Sequence, residues 1–452
     1  MTWVLNTLYS AVLALASPVL LYRMIVRGKY RGGWGEKFLG RLPTGTQAVD
    51  SSSPARPRIW FHAVSVGEVL QLEPVVAELE HQRPDVDVVV TTTTVTGLSV
   101  ARDRFPRHTV CYFPLDFSWA VRNAVERIRP DVVVLVELEL WPNFIREVAR
   151  RNVPLLLING RIGETSFRGY RKLRFLMRRV LSRFAGLAVQ NETYAKRLRH
   201  LGAPGERVTV TGSVKFDRIR ADRNNPGTRE LGESFGLTEA DAVFIAGSTH
   251  APEEEIALNA WTELRGEFPR LRLVLVPRHK ERFEEVARLV ASRGLPLLRR
   301  SRFKSNGGDP SSLDPGPSTL DPPVLLLDTL GELSACWGLA DVAFVGGSLT
   351  RRGGQNMIEP AGFGAAVLFG PNTRNFRDVV EMLQNGGAAQ VVDDERHLVR
   401  MLRELLRNPD KANQMGGNAR RLVAAQRGAT QRTVELIRGV LPANRESMSP
   451  AA

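Results

Sequence analysis

The segment Val345-Gly-Gly-Ser-Leu-Thr-Arg-Arg-Gly-Gly-Gln-Asn-Met-Ile-Glu-Pro360 runs from an apolar strand end through a glycine-rich loop into a helix start. The loop glycines, which let backbone N–H groups approach a ligand closely, are Gly346, Gly347, Gly353 and Gly354. Asn356 is suited to cap the helix, and Glu359 to accept hydrogen bonds from ribose hydroxyls or a base. The segment predicts an anion site, with phosphate as the expected ligand. A tight turn with an ordinary helix cap is the alternative, and the glycine spacing fits neither the dinucleotide nor the Walker pattern.

Short apolar segments alternate with helix-like segments along most of the chain. One series comprises residues 58–62, 86–91, 132–136, 154–158, 186–189 and 208–210, and a second comprises residues 242–246, 271–276, 324–328, 342–345 and 366–369. This alternation predicts an α/β fold with two Rossmann-like, doubly wound parallel-sheet domains that face a ligand cleft. The predicted boundaries are 24–215 for the N-terminal domain, 216–240 for a linker, 241–440 for the C-terminal domain and 441–452 for a disordered tail.

The N-terminal segment is uncharged from residue 2 to residue 22, and basic residues follow it. This length matches the roughly 20 residues that cross a hydrocarbon core. Because the basic residues come after the apolar run, we predict a membrane anchor at residues 1–23 rather than a cleaved signal peptide, with the rest of the protein on the cytoplasmic side. Asn6, Ser10, Ser17 and Pro18 make the segment only weakly apolar, so a re-entrant or surface-lying helix is the alternative.

The formal net charge of +14 requires an anionic partner. No zinc-finger, RRM-like or helix-turn-helix pattern accompanies the charge, so anionic lipid is favoured and nucleic acid is not expected. Basic residues concentrate between Arg161 and Arg183 and alternate with apolar ones, which predicts an amphipathic basic helix on a bilayer or a phosphorylated lipid. A solvated helix face is the alternative.

The cysteine and histidine content and two segments of biased composition support further predictions. The two cysteines, Cys111 and Cys336, fit a reduced compartment, and the seven histidines show no metal-ligand spacing, so neither a metal nor a cofactor is expected. Residues 44–56 and 301–323 are rich in Ser, Pro, Gly and Asp, which predicts mobile surface loops.

Carboxylates follow two of the predicted strands. In His62-Ala-Val-Ser-Val-Gly-Glu68 the chain passes Ser65 and Gly67 into a helix, which leaves Glu68 in the first turn as a candidate general base. The helix dipole lowers its pKa and burial raises it, so the sign stays open, and a helix cap is the alternative role. Glu137-Leu-Glu-Leu-Trp-Pro142 places Glu137 and Glu139 at another strand end, either in the cleft or in a turn that begins a helix at Pro142.

Cationic residues follow two other strands. Val210-Thr-Gly-Ser-Val-Lys215 offers hydroxyls and Lys215 to an anion, although Lys215 is equally suited to a linker. Val276-Pro-Arg-His279 places Arg278 and His279 at a strand end, and a guanidinium is a natural bidentate clamp for phosphate or carboxylate.

In order along the chain, these motifs resemble those of the 3-deoxy-D-manno-octulosonic acid (Kdo) transferases of lipid A assembly, from the N-terminal segment to about Arg438. Besides the motifs quoted above, the resemblance is carried by residues 91–97, 112–116, 190–191, 331–333 and 370–376.

The resemblance implies a GT-B fold and an inverting glycosyltransferase that moves Kdo from CMP-Kdo to the lipid A precursor, lipid IVA, at the inner membrane. It implies Glu68 as the base, and an acceptor site formed by Ser65, Gly67, Glu137, Glu139, Arg161 and Lys215. The implied donor site comprises Pro277, Arg278, His279, Gly346, Gly347, Ser348, Gly353, Gly354, Asn356 and Glu359. The alternatives are a nucleotide-sugar epimerase or hydrolase of the same fold, and a non-catalytic membrane-anchored nucleotide-binding scaffold.

Overall fold

The computed structural model describes residues 2–27, 32–43, 56–219, 222–305 and 322–442. The chain divides into two compact units, the first containing the residues up to Arg218 together with those from Arg427 onward, and the second running from Ile219 to Gln426.

The first unit contains a parallel sheet of seven strands in the order β3-β2-β1-β4-β5-β6-β7. Its strands are β1 (Arg58–His62), β2 (Asp87–Thr92), β3 (Thr109–Tyr112), β4 (Val132–Val136), β5 (Leu155–Gly160), β6 (Gly186–Val189) and β7 (Val208–Val210). Its helices before the second unit are α1 (Thr2–Arg27), α2 (Trp34–Leu39), α3 (Val66–Gln82), α4 (Val95–Arg104), α5 (Ser118–Ile128), α6 (Pro142–Arg150), α7 (Glu164–Arg171), α8 (Arg174–Leu181) and α9 (Glu192–His200).

The second unit contains another parallel sheet of seven strands, in the order β10-β11-β9-β8-β12-β13-β14. Its strands are β8 (Ala242–Thr249), β9 (Leu271–Pro277), β10 (Leu297–Arg299), β11 (Val324–Leu326), β12 (Val342–Val345), β13 (Ala366–Phe369) and β14 (Ala389–Val391). Its helices are α10 (Pro226–Ser234), α11 (Glu253–Leu264), α12 (Phe283–Ser292), α13 (Arg300–Ser305), α14 (Leu333–Cys336), α15 (Ile358–Phe363), α16 (Arg377–Asn385), α17 (Glu395–Arg407) and α18 (Pro409–Ala425); α19 (Ala429–Arg438) follows.

Each sheet is covered on both faces, as its apolar strands require. In β1, Trp60 packs into the core on one face with Phe144, whereas Ile59 and Phe61 pack into the core on the other. All five residues of β4 are buried. The prediction of two doubly wound parallel sheets is therefore confirmed.

Both sheets have a switch point beside their first strand, where the strand order reverses. In the first sheet β1 lies between β2 and β4, and in the second β8 lies between β9 and β12. In open α/β sheets, ligands bind at the carboxyl ends of the strands that flank such a switch point. The loops after β1, β4, β8 and β12 are therefore where functional side chains are expected.

The predicted domain boundaries need two corrections. Residues 216–240 are not a free linker, because α10 lies within them and buries Leu231. The predicted C-terminal domain also extends too far, because α19 belongs to the first unit, where it packs on α3 and buries Val434 and Ile437. Asp217 fixes this return by accepting hydrogen bonds from the N–H groups of Gly428 (2.7 Å) and Thr430 (2.6 Å).

The N-terminal segment forms a helix, α1, but within the described residues no helix combines the length and apolarity needed to cross a membrane. The prediction of a membrane-spanning segment at residues 1–23 is therefore not confirmed. The polar residues of α1 are the physical reason, because they interrupt the apolar run.

One face of α1 makes polar contacts with the rest of the first unit. Asn6 is buried and its side-chain amide donates to the Ser118 hydroxyl (2.8 Å). The Tyr9 hydroxyl donates to the carboxylate of Asp116 (3.0 Å), which also accepts the backbone N–H groups of Asn143 and Phe144 at the start of α6. Burial raises the pKa of Asp116 to about 6. These contacts make α1 a docked element of the first unit.

The basic segment between Arg161 and Arg183 forms two short helices, α7 and α8, instead of the single helix that was predicted. The chain turns at Lys172 and Leu173 between them. Of the two predicted surface loops, residues 44–55 and 306–321 lie outside the described residues, as do residues 443–452 of the predicted tail. The start of the second loop is helical, because it completes α13.

Candidate functional site

Glu68 lies in the first turn of α3, immediately after β1. Its carboxylate accepts the backbone N–H of Val64 (2.8 Å) and the hydroxyl of Ser65 (2.7 Å), while the Ser65 oxygen accepts the backbone N–H of Glu68 (3.4 Å). This reciprocal pattern resembles a capping box. Glu68 therefore does cap the helix, and the question is whether it also acts as a base.

The surroundings of Glu68 determine the direction of its pKa shift, which the sequence left open. The side chain is buried, and this burial raises its pKa. Hydrogen bonds from Ser65 and Val64 oppose the rise, the charge of Glu137 adds to it, and the net shift is upward. A carboxylate with a raised pKa is a stronger base once it is ionised.

Two more carboxylates lie after β4, beside the strand that leads to Glu68. Glu137 has a left-handed backbone (φ 60°), which is strained for a residue with a side chain, and it accepts a hydrogen bond from Arg161 (3.0 Å). Glu139 accepts the indole N–H of Trp141 (3.0 Å). Burial, together with the charges of Glu68 and Glu137, raises the pKa of Glu139 to about 7. The switch point of the first sheet thus gathers three carboxylates that interact electrostatically.

Other residues predicted for the acceptor site lie around this cluster. Gly67 is exposed in the first turn of α3, and a side chain there would meet only the Ser65 hydroxyl, at 3.8 Å. Lys215 is half-buried in a short 3-10 turn (Val214–Phe216) that packs against α3. The structure therefore brings the predicted acceptor residues to α3 and the adjoining strand ends.

The glycine-rich loop after β12 does not present its amides to a ligand as the sequence suggested. A buried carboxylate, that of Glu253, accepts the backbone N–H groups of Gly347 (2.6 Å), Ser348 (3.0 Å) and Leu349 (2.9 Å). Glu253 also accepts the N–H of His250 (2.9 Å) at the end of β8. The protein's own carboxylate therefore occupies the anion-binding turn.

The remaining loop amides are also largely engaged. Gly346 donates its N–H to Gly247 (2.9 Å), and Gly354 donates its N–H to Gly347 (2.8 Å). Direct phosphate binding by Gly346, Gly347 and Gly354 amides is therefore not supported. These glycines serve close packing instead: a side chain on Gly346 would lie 2.5 Å from the backbone of Thr249.

Side chains, rather than amides, are available at the donor strand ends. Arg278 and His279 follow β9 and are exposed. The rings of His250 and His279 meet edge to face at 5.2 Å, and Gln355 lies 3.4 Å from His250. Burial and the nearby positive charges lower the pKa of His250, so it is largely neutral at neutral pH. His250, Glu253 and Gln355 were missed from the sequence, although Glu253 follows a buried strand at the start of a helix, as Glu68 does.

Asn356 and Glu359 form a connected pair at the start of α15. The Asn356 amide donates to Glu359 (2.8 Å), and the Asn356 oxygen accepts the first helical N–H, that of Ile358 (3.1 Å). Asn356 thus accepts one N–H at the start of α15, although the N-cap position itself is Met357. Burial raises the pKa of Glu359.

The fold, which places a candidate site at the switch point of each sheet, identifies the structural class of the protein. Structures with the same fold include the UDP-GlcNAc 2-epimerase of Neisseria meningitidis (TM-score 0.55, 12% identity, 84% of this chain and 100% of that chain) and MurG of Acinetobacter baumannii (TM-score 0.53, 14% identity, 85% of this chain and 100% of that chain). At these identities the likeness shows the fold alone. The protein is therefore an α/β protein of the two-domain GT-B type.

Sequence comparison then identifies the family. The family model described as "3-Deoxy-D-manno-octulosonic-acid transferase (kdotransferase)" matches residues 33–218. The 3-deoxy-D-manno-octulosonic acid transferase of Haemophilus influenzae is 31% identical over 445 residues (96% of this chain and 99% of that protein), and that of Bordetella pertussis is 32% identical over 442 residues (95% and 98%). The chain belongs to the Kdo transferase family and is a glycosyltransferase of lipopolysaccharide biosynthesis.

Proposed function

We propose that the protein transfers Kdo from CMP-Kdo to the lipid A precursor, lipid IVA, with inversion at the anomeric carbon. The observation that carries this proposal is the Glu68 carboxylate in a chain of this family. It is buried at the switch point of the first sheet, and its pKa is raised. A Kdo transferase needs one group that takes the proton of the acceptor hydroxyl, and Glu68 has the position and the basicity for this role.

In the proposed reaction the acceptor lies against the first unit. Glu68 removes the proton from the acceptor hydroxyl as its oxygen forms the bond to the anomeric carbon of Kdo. The bond between that carbon and the phosphate oxygen breaks, and CMP leaves with the bonding electrons. Positioned general-base help is worth about 10²–10⁴-fold in rate. Arg161 holds Glu137 by an ion pair (3.0 Å), which limits the repulsion between Glu137 and an ionised Glu68.

The donor lies against the second unit in this proposal. The exposed guanidinium of Arg278 is suited to grip the phosphate or the carboxylate of CMP-Kdo in a bidentate way. Asn356 is suited to hold the phosphate, and Glu359 to hold the ribose hydroxyls. CMP leaves as a phosphomonoester, which fixed donors stabilise without a proton, so the reaction requires no metal in principle.

The acceptor is a lipid, so the protein must also meet a membrane, and we propose the cytoplasmic face of the inner membrane as its location. Along α1, exposed apolar residues recur at helical spacing and form an outward stripe: Val4, Leu8, Val12, Leu15, Val19, Tyr22 and Val26. At α8, the exposed apolar side chains of Leu173 and Phe175 lie among exposed arginines. Apolar and basic side chains on one surface are typical of helices that lie on anionic bilayers.

The test is to incubate the purified protein with CMP-Kdo and the tetraacylated lipid A precursor and to weigh the lipid product. We expect a mass gain of one or more Kdo residues, release of CMP, and an inverted anomeric configuration by NMR. Incubation with EDTA should leave the rate unchanged. Release of CMP with no gain in lipid mass would indicate a hydrolase of the same fold and would contradict the proposal.

A further inference from the structure

A groove of about 460 Å³ runs along the inner face of α1 in the first unit. Leu13, Ser17, Leu21 and Met24 line it from α1, at spacings of four, four and three residues that place them on one helix face. The opposite wall is formed by Trp34 and Phe38 of α2 and by the loops after β2 and β3. The lining is largely apolar, and the volume lies within the range of about 300–1,000 Å³ that is usual for small-ligand sites.

The groove leads to the residues that hold the candidate base. Phe113, which lines it, stacks on the ring of His62 at the end of β1, with 3.7 Å between ring centroids. Thr93, also in the lining, donates its hydroxyl to the carbonyl of Val64 (3.3 Å), and the N–H of Val64 donates to the Glu68 carboxylate. Through Thr93, the groove lining is therefore a single residue away from the Glu68 carboxylate along the hydrogen-bonded chain.

The chemistry of the groove selects an amphiphile. Lys37 is a cation in the wall, with its ammonium 3.8 Å from the centre of the Tyr112 ring, and it matches a negatively charged headgroup. The groove also adjoins the apolar outer stripe of α1, so a hydrocarbon chain meets apolar surface on the way in. A hydrocarbon chain that moves from a bilayer into an apolar groove stays in apolar surroundings, so the move adds little binding free energy. The groove therefore fixes where the lipid lies more than it increases the affinity for the lipid.

We propose that this groove binds one acyl chain of the glycolipid acceptor and thereby holds the acceptor hydroxyl beside Glu68. The inference rests on the proposed function and deepens it, because it makes α1 part of the acceptor site.

A matched pair of substitutions tests the proposal. Ser17→Phe fills the groove, whereas Ser10→Phe adds the same ring to an exposed position of α1 outside the groove lining. With the tetraacylated precursor, kcat/KM of Ser17→Phe should fall about tenfold or more, in line with steric exclusion from an apolar pocket. With the fully deacylated precursor, its kcat/KM should match the parent's, which also shows that the variant is folded, and Ser10→Phe should match the parent on both acceptors. Equal losses on the two acceptors would overturn the proposal.

A binding measurement separates this proposal from the proposed function, because it requires no Kdo transfer. Trp34 lines the groove and is half exposed, so a dibrominated fatty acid that enters should quench its fluorescence saturably. Ser17→Phe should abolish the saturable quenching, and Trp34→Phe should remove the signal that reports it. Saturable quenching without Kdo transfer would leave the groove intact and refute the proposed acceptor reaction. A third outcome is equal quenching in Ser17→Phe and Ser10→Phe that occurs only with brominated phospholipid vesicles. This result would mean that Trp34 contacts the bilayer only, and it would overturn the acyl-chain site.

Discussion

Glu68 in the first unit and Glu253 in the second occupy corresponding places, each at the start of the helix that follows the strand at the switch point of its sheet. Their surroundings differ. Glu68 accepts hydrogen bonds from Val64 and Ser65 of its own turn, whereas Glu253 accepts four backbone N–H groups from the loops after β8 and β12. Glu68 keeps 8% of its surface exposed and Glu253 none.

Position in the fold therefore does not by itself decide the role of a carboxylate. Four N–H donors leave Glu253 no free lone pair directed at a substrate, so it holds the glycine-rich loop in place. Glu68 has fewer donors and two carboxylate neighbours, and its raised pKa makes it suited to accept a proton. We therefore propose a catalytic role for Glu68, whereas Glu253 positions the glycine-rich loop.

The largest effect is expected from Glu68→Gln, which keeps the shape of the side chain and removes the base. Turnover should fall by at least about 10²-fold, while the affinities for CMP and acceptor stay near those of the parent. Steady-state kinetics and calorimetric CMP binding provide the measurement. Loss of the cap alone would cost only about 0.5–2 kcal/mol of stability, which thermal unfolding separates from loss of turnover.

A smaller effect, confined to the acceptor side, is expected when Arg171, Arg174 and Arg178 are replaced by Gln. Each basic residue near an anionic bilayer contributes about 1 kcal/mol, so binding to anionic vesicles should weaken by up to about 10²-fold at low salt. The difference should shrink as salt is added. CMP affinity should not change, and replacing the exposed Arg288, Arg396 and Arg400 of the second unit provides the matched control. Equal vesicle binding by the triple variant and the parent at low salt would contradict the basic-surface assignment.

Glu253→Gln should weaken donor binding indirectly, because Glu253 holds the glycine-rich loop in place. Hydrogen bonds to a charged group are worth about 1.5–3 kcal/mol, and the Gln amide turns a donor toward backbone N–H groups that need an acceptor. We expect destabilisation of about this size by chemical denaturation, together with a higher KM for CMP-Kdo. An unchanged KM and unchanged stability would show that the four hydrogen bonds do not hold the loop.

The smallest effect expected is on the pH dependence of stability, through the carboxylate cluster. The pKa of Glu139 is raised from 4.5 to about 7, so its protonated form favours the folded state. The stability that protonated Glu139 contributes is fully present below its unfolded-state pKa of 4.5. It is lost as the pH rises through the folded-state pKa of about 7. Glu139→Gln cannot ionise, so its stability should decline less than the parent's between about pH 5 and 8.

A second substitution, Glu137→Gln, should move the acid limb of the pH–rate profile to lower pH. The charge of Glu137 raises the pKa of Glu68, so its removal should lower that pKa. Glu192→Gln, on the exposed start of α9, should leave the profile unchanged. A profile that does not move in Glu137→Gln would show that the charge of Glu137 does not influence Glu68.

Strand periodicity was enough to predict both sheets, because fully buried strands such as β4 read as continuous apolar runs. The C-terminal boundary of the second unit was not predictable in this way. Helix α19 has an apolar face that fits a core, but nothing in its own residues shows that it returns to the first unit. The contacts that decide this, between Asp217 and the N–H groups of Gly428 and Thr430, join residues more than 200 positions apart.

The residues of the candidate site also fall into those that the local sequence predicts and those that it does not. The candidate base and its neighbouring carboxylates follow their strands directly, and local order predicted them. The occupant of the glycine-rich loop was missed because Glu253 lies 94 residues before Gly347. The docking of α1 is not predictable from local order for the same reason, because Tyr9 meets Asp116 across 107 residues.

The most direct test of the central claim is single-turnover Kdo transfer by Glu68→Gln and Glu253→Gln, measured side by side at saturating CMP-Kdo with donor affinity determined on the same preparations. The two variants should show opposite patterns. Glu68→Gln should bind the donor as the parent does but transfer Kdo at least about 10²-fold more slowly, and Glu253→Gln should bind the donor more weakly but approach the parental rate at saturation. Near-parental transfer by Glu68→Gln would contradict the account and move the base role to Glu139 or Glu137.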